Sequence, residues 1–352
     1  MVSNYIWWST VSNSKRFLSD AVSSLLDRRS VIMISEQPLP YASDFYDHLS
    51  EEIRINDSQT LLESIPARLA DEYALIDDFM FDQYCPRSVE SDYFPAPNYS
   101  KANFLAQYDK FQLNRRIVYV SGINDAGCKK WVDFLSRYSR FANDDSAVFV
   151  FEISGVRHRI SEIKNCSKLL FDEYITEYDR YVYSLLLTAD SDIKNSETAK
   201  YIAELITNIS GKNIELYSSL VSVSDEIAGD PFGVCRRFAD TTLTESDANV
   251  IIWKTQLKHV FPLIEAYRRK IVDKYKKPIN KALPYTTPYN VTIENPYELD
   301  FGNIAALINE KKLKVSDCEF SRITLCKDVR NSLAHLKCAD NDSVMEIFNT
   351  LC

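Results

Sequence analysis

Hydrophobic positions along the chain follow two regimes. In the first half, short unbroken apolar runs alternate with segments in which apolar residues recur every three or four positions. Val31-Ile32-Met33-Ile34, Ile117-Val118-Tyr119-Val120 and Ala147-Val148-Phe149-Val150-Phe151 have the length and β-branching of strands buried on both faces. Around them the spacing predicts helices over 15–27 (Phe17, Leu18, Val22, Leu25, Leu26), 43–53 and 67–84, and another carrying Trp131, Phe134, Leu135 and Tyr138. Residues 85–102, with Pro86, Pro95 and Pro97 among Ser and Asn, read as a surface loop. Buried strands alternating with helices predict a small parallel sheet, and hence an α/β N-terminal domain over 1–190.

From about Ser167 the pattern turns helical. Segments 200–209, 213–227 and 248–275 carry apolar residues at helical spacing, the last with Ile251, Ile252, Leu257, Val260, Phe261, Ile264, Tyr267 and Ile271. A proline-punctuated connector covers 278–296, and Asp300 caps a helix over 301–312. Ser316-Asp317-Cys318-Glu319 is a capping box opening a helix whose stripe (Phe320, Ile323, Cys326, Val329, Leu333, Leu336) runs to about 337. A second box, Ser343 to Glu346, opens the last helix. The expectation for 191–352 is an all-α helical-bundle domain.

Composition supports this division. The chain has 352 residues, 45% hydrophobic and 26% charged, which argues against disorder, and only 7 glycines, which argues against an all-β fold rich in tight turns. Net charge is −9, yet 254–337 holds 16 Lys/Arg against 9 Asp/Glu, a local +7 that leaves −16 for the rest. Such asymmetry points to a polyanion-facing module near the C-terminus. Its densest part is Arg268, Arg269, Lys270, Lys274, Lys276, Lys277 and Lys281, interleaved with Tyr267 and Tyr275. That run is a candidate nucleic-acid contact surface; a solvated helix end is the plainer alternative.

No apolar run approaches the ~18 residues of a membrane span, and the start of the chain lacks a secretory pattern. Eight cysteines without a CxxC pair and four histidines without ligand spacing predict reduced thiols, no metal and no cofactor in a cytoplasmic protein.

A parallel sheet invites a search for a phosphate loop. The first strand is followed by Glu36-Gln37-Pro38-Leu39-Pro40, with neither glycine nor lysine. The second leads into Gly122-Ile123-Asn124-Asp125-Ala126-Gly127-Cys128-Lys129-Lys130. Gly122 and Gly127 have the spacing of a phosphate-wrapping loop, but Lys129 comes one position late and no Ser or Thr follows to hold magnesium. The N-terminal half thus resembles a degenerate P-loop NTPase-type domain, a scaffold or sensor rather than a hydrolase. An ordinary α/β turn here is the simpler reading.

Near the end of the capped late helix lies Arg330-Asn331-Ser332-Leu333-Ala334-His335. This stretch resembles the HEPN superfamily, helical bundles marked by R-x4–6-H with a polar residue after the arginine. The resemblance covers 254–352. It implies that Arg330, Asn331 and His335 form the site, and that two copies meet in a homodimer to cut RNA without metal. His335 would serve as general acid or base, Arg330 would stabilise phosphate charge, and Asn331 would orient either. At ~100° per residue the three span one side of a helix, leaving Val329 and Leu333 to face inward.

The leading expectation is therefore a HEPN-type endoribonuclease of a toxin or antiviral-defence system, regulated by its N-terminal domain. The rival is a non-enzymatic adaptor, a protein partner within a defence complex, whose Arg, Asn and His merely brace a helix end. A nucleotide-hydrolysing regulator, relying on Lys129 and Lys130, is a third.

Overall fold

Strands without a polar face must be covered on both sides, and the apolar runs pair accordingly. A computed structural model describes residues 3–108, 113–156, 160–189, 193, 195–238, 244–287 and 290–351. The chain divides into two units, Met1–Asp179 and Arg180–Cys352.

The first unit runs α1 (Ser3–Ser9), α2 (Ser12–Leu26), β1 (Ser30–Ser35), α3 (Ala42–Asn56), β2 (Leu61–Pro66), α4 (Ile76–Tyr84), α5 (Lys101–Gln107), β3 (Arg116–Ile123), α6 (Asp125–Phe141), β4 (Val148–Ser154), β5 (Cys166–Leu170) and α7 (Phe171–Tyr174). The sheet order is β2-β3-β4-β1-β5 with every pair parallel; Val31 lies opposite Val150 and Ser167, and Ile117 opposite Leu62 and Val148. The two-residue alternation of strands sorts the side chains. Phe149 and Phe151 of β4 pack edge-on against Phe134, Tyr138 and Trp131 of α6. Tyr119 of β3 meets Phe45 and Tyr46 of α3 on the other face.

Two strands were not foreseen. β2 is an edge strand with Leu61 exposed and little apolar pattern, and β5 falls where a helical pattern was expected to begin. The expected helix over 67–84 is instead a short 3-10 turn (Ala67–Ala70) followed by α4, and α5 lies partly within the expected surface loop.

The second unit contains most of α8 (Glu177–Thr188), then α9 (Ser196–Ser210), α10 (Ile214–Val221), α11 (Ser224–Gly229), α12 (Pro231–Phe238), α13 (Glu245–Lys274), α14 (Lys276–Ala282), a small hairpin of β6 (Tyr285–Thr286) and β7 (Thr292–Ile293), α15 (Phe301–Asn309), α16 (Asp317–Ala334) and α17 (Asn341–Leu351). The architecture is thus an α/β region followed by a mostly helical one. The span expected as one helix over 213–227 is broken into α10 and α11, and the proline-rich connector folds into α14 and the hairpin. α17 starts earlier than its Ser343 box implied, because the Asp340 carboxylate accepts the Ser343 N–H at 3.0 Å and caps the helix.

α13 is the central strut, packing on α9, α12, α16 and α17 through Ile252, Val260, Ile264 and Ile271. It runs antiparallel to α16. Trp253 Nε1 donates to the Leu333 carbonyl at 2.9 Å near one end, and Lys274 Nζ meets Glu319 at 2.8 Å near the other.

Candidate functional site

Folding closes the Arg330–His335 segment with a C-terminal cap. His335 is the cap residue of α16; beyond it, the Leu336 N–H bonds the Leu333 carbonyl at 3.2 Å and the Lys337 N–H bonds the Ser332 carbonyl at 3.0 Å. This is a Schellman closure. The left-handed position, usually glycine, is taken by Leu336 at φ +60°, where a side chain costs roughly 1–2 kcal/mol. α13 clamps the closure from behind. Trp253 holds the Leu333 carbonyl, and Gln256 both donates to the Ala339 carbonyl at 3.1 Å and accepts the Ala339 N–H at 2.8 Å.

With Val329 and Leu333 buried, the polar side of the helix end faces water. Arg330 is half-buried, and Asn331 and His335 are exposed. The Arg330 guanidinium reaches Asn331 Oδ1 at 3.4 Å, a long contact that leaves most of its donors available. Among the described residues the His335 imidazole has no hydrogen-bond partner. A groove of about 1140 Å³ opens one residue beyond His335, lined by Leu336, Lys337, Trp253, Asn249, Phe232 and Asp340 among others.

The basic run is not brought to this site. Lys274 pairs with Glu319 near the start of α16, whereas the trio ends it; Glu319 to His335 at ~1.5 Å per residue is roughly 25 Å. Nor is the run uniformly available. Arg268, only 14% exposed, pairs with Glu265 at 2.8 Å and donates to the Tyr297 and Leu299 carbonyls at 2.8 and 3.0 Å. It staples the connector to α13. Lys274 is committed to Glu319, whose carboxyl burial would raise but hydrogen bonds from Lys274 and Tyr275 hold below its ordinary value. Arg269, Lys270, Lys276 and Lys277 are exposed, Lys276 lying over the Tyr297 ring at 5.7 Å. The sequence run did not include Lys311, Lys312 and Lys314, which are also exposed; the pattern Lys-Lys-Leu-Lys around buried Leu313 was the available signal.

The phosphate-loop fragment is a structural junction. Gly122 lies inside β3 at φ +71°, where the register with β4 shifts between Val120 and Ile123. That conformation is the reason for glycine. Asn124 alone separates β3 from α6, and its side chain accepts the Gly127 N–H at 2.9 Å, the donor a phosphate would need. Lys129 is exposed on α6, and Lys130 donates to the Tyr73 carbonyl at 3.1 Å. The sheet's topological switch point, where ligands of open α/β sheets gather, lies between β4 and β1. On the other side of β1, toward β5, the Glu36 N–H bonds the Asp172 carboxylate of α7 at 2.8 Å, so a phosphate at that strand end would meet two acids instead of a lysine.

Of the remaining histidines, His48 packs tilted against Tyr5 with ring centres 5.7 Å apart and His259 lies 3.8 Å from Glu204, while His158 lies outside the described residues. Among the described residues no three His, Cys, Asp or Glu side chains converge as metal ligands, and no helix is long and apolar enough to cross a membrane.

Neither a protein-family model nor a curated protein matches the chain. Among solved structures it is matched to a chain of "Structure of Drosophila ORC bound to poly(dA/dT) DNA and Cdc6 (conformation 1)", at 10% identity, 99% coverage of this chain and 73% of that one, with a TM-score of 0.26. At that score the match carries no inference about fold or function.

Proposed function

We propose that the helical unit is a HEPN-like, metal-independent endoribonuclease of a toxin or antiviral-defence system, with the α/β unit regulating it. One observation carries the reading: Asn331 and His335 stand in solvent at the end of α16, and no described side chain or carbonyl claims the imidazole. A histidine that braced a bundle would be buried and bonded. An exposed imidazole beside a guanidinium can take a proton from a ribose 2′-hydroxyl, or return one to the leaving oxygen, while Arg330 holds the phosphate charge. One chain supplies one trio, so the cutting centre is a homodimer in which two α16 ends face a shared strand.

The test is cleavage of labelled RNA in EDTA by the full chain, Arg330→Ala and His335→Ala. Loss of a general acid–base group lowers the rate by about 10²–10⁴-fold, and since both residues reach solvent, the unfolding midpoint should not move. Equal cleavage by all three proteins, or none by the wild type under any trigger, removes the proposal. The adaptor reading draws on the groove beside the trio, where Leu336 is 74% and Val250 45% exposed. It predicts stable co-purification with a protein partner and full biological activity in His335→Ala.

A further inference from the structure

The end of the helical unit opposite the trio gathers cations from segments far apart in sequence. α13 delivers Arg269 and Lys270, α14 delivers Lys276, Lys277 and Lys281, and the turn between α15 and α16 delivers Lys311, Lys312 and Lys314, all exposed. Contacts join these segments. Lys276 lies over Tyr297 at 5.7 Å, Lys312 lies over Tyr285 at 5.7 Å just past α14, and Lys274 reaches Glu319 at the start of α16. The acids at this end are partly occupied: Asp273 accepts from the Tyr297 hydroxyl at 2.6 Å, Glu310 pairs with Lys312 at 2.7 Å and Glu319 with Lys274. Among the described residues Glu294, Glu298 and Asp317 are exposed without a cationic partner. Arg269, Lys270, Lys277, Lys281, Lys311 and Lys314 have no carboxylate partner among the described residues.

We infer that this end is a distal anchor for the RNA backbone, roughly 25 Å from the trio along α16. The inference rests on the ribonuclease reading for the identity of its polyanion. Seven exposed lysines around the single Arg269 contact phosphates mainly by charge, without reading sequence. A membrane surface fits less well, because interfacial binding needs an apolar face, and among the described residues the large apolar side chains exposed here are only Val291 and Tyr297. The ~25 Å between anchor and trio spans several phosphates of a single strand. The anchor therefore selects RNA that continues well beyond the scissile bond. It also revises the residues the basic run nominates, replacing Arg268 and Lys274, which hold the fold, with Lys311 and Lys314.

The experiment measures binding of a fluorescent 30-nucleotide RNA to full-length His335→Ala protein across a salt series, with cleavage removed. The test variant adds Lys277→Ala, Lys281→Ala, Lys311→Ala and Lys314→Ala. A matched control adds Lys15→Ala, Arg54→Ala, Lys129→Ala and Lys164→Ala, also exposed. Each phosphate contact to single-stranded RNA is worth ~0.7 in the slope of log affinity against log salt. The anchor variant should therefore lose up to about 3 in slope and at least ~10-fold in affinity, with the control within about twofold. Equal losses in the two variants, no RNA binding by the parent, or tighter binding of the parent to phosphatidylserine vesicles than to RNA would each overturn the anchor. The cleavage comparison of wild type with His335→Ala is independent of these results, so either idea can fail alone.

Discussion

Two short motifs, Gly122–Lys129 and Arg330–His335, look equally rich in chemistry as strings of residues, and folding treats them oppositely. At the first, Asn124 takes the Gly127 N–H, Lys130 turns to a carbonyl and the glycine serves a strand irregularity. Hydrogen-bonding capacity is spent inside the protein. At the second, α13 satisfies the backbone through Trp253 and Gln256, and the side chains are left to solvent. A motif has chemistry to offer a ligand only where the fold has satisfied its backbone by other means.

The sharpest test sets one motif against the other. His335→Ala should cost at least ~100-fold in RNA cleavage with unchanged stability, while Lys129→Ala should change neither. Breaking the backbone support comes next. Gln256→Leu leaves the N–H and carbonyl of buried Ala339 unsatisfied, a loss of about 2–4 kcal/mol in urea unfolding. Cleavage should fall with it, as the segment after His335 loosens. A loss below ~0.5 kcal/mol would mean that α13 does not hold this closure.

The first motif has the smaller but complementary sensitivity. Asn124→Ala removes the α6 N-cap and should cost about 1 kcal/mol, while Asn124→Ser, which restores an acceptor, should recover most of it. If Asn124→Ala is neutral, the Gly127 N–H is not spent and the contrast between the junctions weakens.

What the sequence made legible follows from the strength of local patterns. The three central strands were readable because burial on both faces leaves unbroken apolar runs, and α16 was readable because Ser316 and the Val329/Leu333 stripe agree. β2 was not, because an edge strand with one partner shows little alternation; β5 was not, because Cys166-Ser167-Lys168 has no strand pattern of its own and pairs only because β1 offers an edge. At the site, the exposure of His335 could be argued from helical angles. The antiparallel pairing of α13 with α16, which carries the basic run away from the trio, is a tertiary fact that no local window contains.

The smallest expected effect probes a charge that the first region does not need. Glu152 of β4 lies between β3 and β1; burial raises its pKa, an effect partly offset as it accepts from the Tyr119 hydroxyl at 2.9 Å and from the Gly122 N–H. A raised carboxyl pKa means that the folded state holds its proton more tightly than the unfolded chain. Its contribution to stability is then fullest below the unfolded value near ~4.3, and declines as pH rises through the folded value. Glu152→Gln keeps an oxygen for Tyr119 and Gly122 but cannot ionise. The variant should therefore gain on the wild type between pH 4 and 7, ending as stable or slightly more stable at neutral pH by urea midpoint. A variant clearly weaker at pH 7 than at pH 4, relative to wild type, would mean that the carboxylate charge is used. The β3–α6 junction would then resemble the end of α16, with a polar group held for something outside the fold.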